Sequence, residues 1–451
     1  MAYLMCAIAM IGTYLAARHS FVRGLAAAIV AGYFYGILRA NVIHPASHFL
    51  FDAAILGLYA AQVNRLTRPF ASLDGQRLRH WTLLLIAWPL VLFFVPVQDP
   101  MVQLVGLRGS VFLVPFLLLG AQIRTEEIEE LALWLSGLNM VAFAFGVGEF
   151  VLGIEHFYPY SAVTQIIYRS TDVGSSGAHR IPAIFANAHA YGGTMVMTLP
   201  FIVGSWVREH ASLRRRQFLM AGIITGMLGI FLCASRTDFL LLMVLFCVFT
   251  FSTRVRPLYR VAWLLIAVLI LWVVSSEERL QRFASLRDTD SISERVRGSV
   301  NTSLLDAIVQ YPFGNGLGGG GSSMPFFLAS RVNNPLVIES EIGRIQLETG
   351  ILGLSSWVCF LLWVFTRRQG NSQLPMFLGR RLSYFAVLAY GSMAFIGLGL
   401  FTSIPASALF LMEMGWISVS CSEGLLEMHG AAGFVSPGFI LPRPWGVHEK
   451  A

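Results

Sequence analysis

The chain has 451 residues, 56% of them hydrophobic and only 13% charged, with a formal net charge of +7. A soluble domain carries about 25% charged residues, so a water-soluble globule is excluded. A β-barrel is excluded too, because its strands would be about 10 residues long and alternate polar with apolar.

Apolar runs long enough to cross a hydrocarbon core of about 30 Å recur along the whole length. The fold class expected is therefore all-α: a polytopic transmembrane helical bundle forming one integral membrane domain over residues 1–451. Hydropathy windows place helices at 2–17, 21–38, 47–62, 80–98, 101–122, 130–153, 190–207, 218–234, 238–252, 259–275, 345–366, 382–402 and 405–421. The first two are short enough to form one kinked or re-entrant element, so the count is 12 or 13. No short apolar stretch is followed by a small-residue cleavage site, so no removable signal peptide is expected. The five cysteines, Cys6, Cys233, Cys247, Cys359 and Cys421, lie in or beside apolar runs and form no CxxC pair. They read as small buried side chains, with no disulfide framework and no zinc site.

Short connections rich in arginine mark the cytoplasmic side. They run from Asn64 to His80, Arg208 to Gln217, Thr253 to Arg260 and Arg367 to Arg381, and all four fall on one side when the helices alternate. Three polar segments then face the other way: 154–189, the tight turn Ala234 to Asp238, and a long loop over 275–344. The tail 423–451 reads as cytoplasmic. Lys450 is the only lysine, so an anion held by a side-chain cation here is held by a guanidinium fork.

Along the outer segments the polar residues stand at helix ends. Arg180 opens "RIPAIFANAHAYGG", Arg236 sits in "ASRTD", and Arg344 precedes the eleventh helix. Cations ringed around one membrane face suit a lipid-linked phosphate or pyrophosphate. In the long loop, "SVNTSLLDAIVQYP" spaces Val300, Leu304, Leu305 and Ile308 as a short amphipathic helix lying on the membrane surface, ended by Pro312. "GNGLGGGG" follows, a plain turn or hinge, or a loop whose backbone approaches a ligand or another helix. Asp288 to Asp290 match a short metal-binding motif of nucleotide-sugar transferases, but nucleotide sugars are absent outside. No residue cluster has metal-site spacing. "ESEIGRIQLETGILGL" carries Glu339 and Glu341 as candidate general bases, with Glu348 placed to pair with Arg344 at i,i+4.

This ordered set resembles the O-antigen ligase and polymerase superfamily, integral-membrane glycosyltransferases that use polyprenyl-pyrophosphate-linked sugars. "RIPAIFANAHAYG" resembles its entry segment, "CASRTDFLLL" its Ser-Arg turn, and "RGSVNTSLLDAIVQYPFGNGLGGG" with "ESEIGRIQLETGILGL" its long periplasmic loop. The match covers roughly Arg180 to Phe365. Related ligases carry histidine eleven residues before the glycine of "GILG"; here that position is Glu339, which favours a polymerase-like member over a ligase.

The resemblance implies metal-independent transfer without cofactor, outside the bacterial cytoplasmic membrane. Arg180, Arg236, Arg297 and Arg344 would bind pyrophosphate, Asn187 and His189 would contact sugar or start the helix, and Glu339 or Glu341 would take the proton. The partners implied are a polyprenyl-pyrophosphate-linked oligosaccharide, the lipid bilayer, and a chain-length regulator and export proteins; no nucleic acid is expected. Two alternatives stay open: a ligase that transfers glycan to a lipid or protein acceptor, and a transporter or flippase. A transporter would show two similar halves with broken helices near the midplane, and no such repeat is evident.

Overall fold

The structure, a computed structural model, describes residues 1–169, 179–208, 212–252, 304–320, 324–325, 327–334, 340–367, 376–395 and 401–419, with a few isolated positions besides. No β-strand occurs among the described residues. The helices are α1 (Ala2–His19), α2 (Phe21–Tyr33), α3 (Tyr35–Asn41), α4 (Leu50–Ala61), α5 (Val63–Thr67), α6 (Leu73–Phe93), α7 (Pro100–Val111), α8 (Phe116–Ala121) and α9 (Thr125–Leu152). They continue as α10 (Gln165–Arg169), α11 (Ala188–Arg208), α12 (Leu213–Leu232), α13 (Arg236–Thr250), α14 (Leu304–Gln310), α15 (Glu341–Phe365), α16 (Phe377–Met393) and α17 (Ala406–Ser418).

The protein is an all-helical membrane bundle. Five helical stretches among the described residues are long and apolar enough to cross a bilayer, counting α7 with α8 as one, and six if the bent pair α2–α3 is one span. That is fewer than the 12 or 13 read from hydropathy windows, and the difference has identifiable causes. Windows average over breaks: 47–62 divides into a 3-10 turn at Pro45–Phe49 and the twelve-residue α4. The window 238–252 contains a helix of only 15 residues. The window 259–275 lies almost entirely outside the described residues, as does the tail 423–451. At the N-terminus the chain breaks twice. Ser20 is extended and separates α1 from α2, and α2 meets α3 at a 46° bend.

The interior is built around α11 and α17. Every residue of α17 is buried. From Ala188 to Trp206 the only exposed residue of α11 is His189. Such helices, apolar on all sides, belong at the centre of a bundle.

Ion pairs gather at one end of the helices. Arg65 grips Glu127 near the start of α9 with N–O distances of 3.2 and 2.8 Å. Arg208, closing α11, pairs with Glu129 at 3.1 Å. Arg367, just past α15, pairs with Asp74 at 2.6 Å. Three of the arginine-rich connections thus meet at one rim. Because α11 rises about 1.5 Å per residue, its first turn lies about 30 Å from this rim. Arg380, read from sequence as a loop residue, is instead buried in α16, donating to the Trp416 and Val419 carbonyls at the end of α17. A hydropathy window cannot see that a guanidinium is satisfied by helix-end carbonyls.

Candidate functional site at the mouths of two helices

The segment Arg180 to Asn187 is non-helical yet largely buried. Irregular backbone at such depth persists only where its polar groups find partners. The Glu149 carboxylate accepts from the Ala183 amide at 2.9 Å, and the Tyr158 hydroxyl donates to the Ala183 and Phe185 carbonyls at 2.6 and 2.8 Å. The Ile37 amide donates to the Ile184 carbonyl at 3.1 Å. These bonds hold Ala183 at a left-handed φ of 49°. Asn187 Oδ1 then accepts from the Ala190 amide at 2.8 Å and caps α11.

His189 follows, pointing outward from an otherwise buried helix. Its Nε2 lies 3.0 Å from Arg180 Nη1, and its Nδ1 lies 3.1 Å from Ser235 Oγ. A guanidinium only donates hydrogen bonds, so Nε2 accepts. The imidazole is then neutral, and its proton is on Nδ1, donating to Ser235. Ser235 is also the N-cap of α13, accepting from the Asp238 amide at 3.5 Å, and its hydroxyl faces the Asp238 carboxylate. Arg236 is the first residue of α13. Asp238 is buried, and its Oδ2 has no hydrogen-bond partner among the described residues. It packs so closely on α11 that a Cβ at position 192 would sit 2.3 Å from Oδ2; only glycine fits there. Arg180, Asn187, His189 and Arg236, which come from two separate stretches of sequence, thus converge on the mouths of α11 and α13.

At the start of α15 the Arg344–Glu348 pair expected from helical spacing is present, and Glu341 joins it. Glu341 Oε1 accepts from Arg344 Nε and Nη2 at 2.8 and 2.5 Å, and its Oε2 accepts from the Gly399 amide at 3.1 Å. Arg344 Nη1 donates to Glu348 Oε2 at 2.7 Å. All three side chains are buried. The i,i+3 and i,i+4 spacing puts them on one helix face, and desolvation commits them to one another. Arg344, expected to bind pyrophosphate, is here a clasp between two carboxylates. Glu341, expected as a base, has both oxygens occupied. Tyr390 of α16 donates to the Gly399 carbonyl at 3.2 Å, on the same residue whose amide donates to Glu341. Glu339 and Arg297 lie outside the described residues, as do Asp288 to Asp290.

The glycine run is a wedge that repairs a broken helix. Inside α15, Gly350 adopts φ 69°, ψ −173°. The Asn315 amide donates to the Leu347 carbonyl at 2.6 Å, and the Ile351 amide donates to the Pro312 carbonyl at 2.9 Å. The Trp88 indole takes the Thr349 carbonyl at 2.9 Å. Of the two approaches left open by the sequence, the described backbone makes the one to another helix. The preceding helix α14 packs Ala307 against Leu347 and leaves Leu305 and Val309 exposed, as is Phe313 in the turn beyond it, apolar side chains suited to the membrane surface.

A second polar group lies among α3, α4 and α7. Asp52 accepts from Arg108 Nε and Nη2 at 2.8 and 2.7 Å, and His44 Nδ1 accepts from the Ala46 amide at 3.0 Å. Burial, with help from Arg39 and Arg108, lowers the His48 pKa to about 4, so this imidazole is uncharged at neutral pH. Among the described residues no group of three or more His, Cys, Asp or Glu side chains could hold a metal ion. Cys6, Cys233, Cys247 and Cys359 are free thiols; Cys233 is buried as expected, whereas Cys247 and Cys359 are exposed, and Cys421 lies outside the described residues.

Sequence reasoning missed Ser235 as the partner of His189, Glu149 as the anchor of the entry segment, and Asp238 beneath them. Glu149 left a signal, a lone acid near the end of an apolar run. The bond from Ser235 to His189 spans 46 residues and left none.

The fold and site define a helical integral membrane protein with a polar, arginine-bearing cluster at one end of its central helix. No protein-family model matches the chain, and no curated protein matches it.

Proposed function

We propose that this protein is a membrane glycosyltransferase that joins polyprenyl-pyrophosphate-linked oligosaccharide units on the outer side of a bacterial cytoplasmic membrane, as a polysaccharide polymerase does. The observation that carries this reading is the convergence of Arg180, His189, Ser235 and Arg236 at the mouths of α11 and α13, at the opposite end from the arginine-rich rim. By the positive-inside rule that rim is cytoplasmic, so the site faces outward.

In this reading Arg180 and Arg236 bind the donor pyrophosphate, with Arg297 of the long loop as a third cation. A hydroxyl of one lipid-linked oligosaccharide attacks the anomeric carbon of another, and polyprenyl pyrophosphate leaves. Fixed guanidinium groups in a poorly hydrated cleft stabilise the charge that builds on the leaving oxygen. Asn187, spent on capping α11, supports the site through its helix start. Arg344 acts by holding Glu341 and Glu348, and so fixes the start of α15. Chain-length and export proteins are the partners this activity calls for.

The test is reconstitution. Purified protein in liposomes, given lipid-linked oligosaccharide and no nucleotide, should yield products longer by whole repeat units. Absence of longer products with a correctly inserted protein would remove the reading; transbilayer movement of the unextended lipid would replace it with transport.

A further inference from the structure

We propose that His189 is the general base of this site, held neutral and capped by Arg180 until a pyrophosphate draws Arg180 away. The inference rests on the glycosyltransferase reading above. It starts from the bond pattern: Arg180 Nη1 to His189 Nε2 at 3.0 Å, and His189 Nδ1 to Ser235 Oγ at 3.1 Å. Because the guanidinium can only donate, the Nε2 lone pair is already the acceptor in the resting protein. Ser235 fixes the ring from behind, and Asp238 is buried beyond Ser235 at the start of α13.

Three further observations favour His189 over the acids near α15. His189 is the exposed residue in the first turn of an otherwise buried helix, so it faces the space a substrate would enter. Glu341 has both oxygens occupied by Arg344 and the Gly399 amide. Arg180 is half-buried and reaches His189 through Nη1, so an anion bound beside His189 competes directly for its fork.

The step balances as follows. The acceptor hydroxyl oxygen forms a bond to the anomeric carbon of the donor. The bond from that carbon to the pyrophosphate oxygen breaks, and its electron pair stays on polyprenyl pyrophosphate. The hydroxyl proton passes to His189 Nε2, while Nδ1–H remains bonded to Ser235. Binding of the donor therefore releases the base, whose Nε2 lone pair is otherwise occupied by Arg180.

The experiment has two arms. In the first, wild type, His189→Gln, Ser235→Ala and Glu339→Gln are compared in liposomes with lipid-linked oligosaccharide, each checked for insertion and thermal stability. His189→Gln should lower kcat by roughly 10²- to 10⁴-fold, the usual share of general base catalysis, with KM nearly unchanged. Ser235→Ala should lower kcat less and leave KM alone. A normal kcat in His189→Gln, or a loss carried by KM, overturns the proposal, as does a dead Glu339→Gln beside an active His189→Gln.

In the second arm, protein with ¹⁵N-labelled histidine is observed by NMR, and His189→Gln assigns the resonance. The resting spectrum should show a proton on Nδ1 and none on Nε2, and inorganic pyrophosphate or farnesyl pyrophosphate should shift the Nε2 signal. A protonated Nε2, or no response in both ligands, overturns the gating. Wild type that transfers nothing sinks the glycosyltransferase reading and the base role with it, while the spectrum still decides whether Arg180 sets the tautomer.

Discussion

Arg180 and Arg236 stand at helix mouths where a planar fork and a point charge have different consequences. Arg180 already uses its geometry to reach His189, and Arg236 opens α13 beside the Ser235 cap. Replacing either by lysine keeps the charge and loses the paired N–H donors that fit two phosphate oxygens. A hydrogen bond to a charged group contributes about 1.5–3 kcal/mol. Arg180→Lys and Arg236→Lys should each lower transfer roughly 10- to 100-fold at normal protein level. Full activity in Arg236→Lys, measured with the lipid-linked donor, would take pyrophosphate away from that turn. At this scale the sequence displayed Arg180, Asn187, His189 and Arg236 because each breaks an otherwise apolar run. It also displayed the Arg344–Glu348 pair, which is set by helical spacing alone. Ser235 as the partner of His189 was hidden, because only tertiary packing brings α11 and α13 together.

The start of α15 shows how an element can carry charge into an apolar bundle. Glu341, Arg344 and Glu348 are buried together, so removing the cation leaves two carboxylates without a counter-ion. Breaking a buried pair in this way typically costs about 3–5 kcal/mol. Arg344→Ala should therefore reduce the amount of folded protein recovered in detergent and lower its Tm. The triple variant Glu341→Gln, Arg344→Met, Glu348→Leu should recover much of that loss. If Arg344→Ala is as stable as wild type and fails only in transfer, the arginine is a substrate ligand after all.

Farther along the same helix, Gly350 holds a backbone conformation essentially reserved for glycine, and a Cβ there would lie 2.6 Å from the Phe313 carbonyl carbon. Gly350→Ala should cost about 1–3 kcal/mol in strain alone. It should also loosen the segment from Pro312 to Gly320, which faster hydrogen exchange at the Asn315 and Ile351 amides would report. The glycine run and its proline were visible in the sequence as a turn. The break in α15 that they fill was not, because the hydropathy of "ETGILGL" is continuous across Gly350.

Over the whole molecule, the class was legible from composition, and the grouping of arginine-rich connections at one rim was legible from their order. Ion pairs from Arg65, Arg208 and Arg367 now tie three of those connections together. The number of spans was less legible. A hydropathy window sees neither a bend such as α2–α3 nor a short helix such as α17, which is enclosed by its neighbours. The site inherits its position from this plan. α11 runs from Ala188 to Arg208, so one central helix links the proposed site at His189 to the arginine-rich rim. The central claim is that a glycosidic bond forms at the expense of a lipid pyrophosphate bond, and the stoichiometry of release tests it most directly. With labelled polyprenyl-pyrophosphate oligosaccharide in liposomes and no nucleotide present, one polyprenyl pyrophosphate should be released for each repeat unit added. The release should fall with extension, roughly 10- to 100-fold, in Arg236→Lys. Chain extension without release of polyprenyl pyrophosphate, or release without extension, would contradict the account.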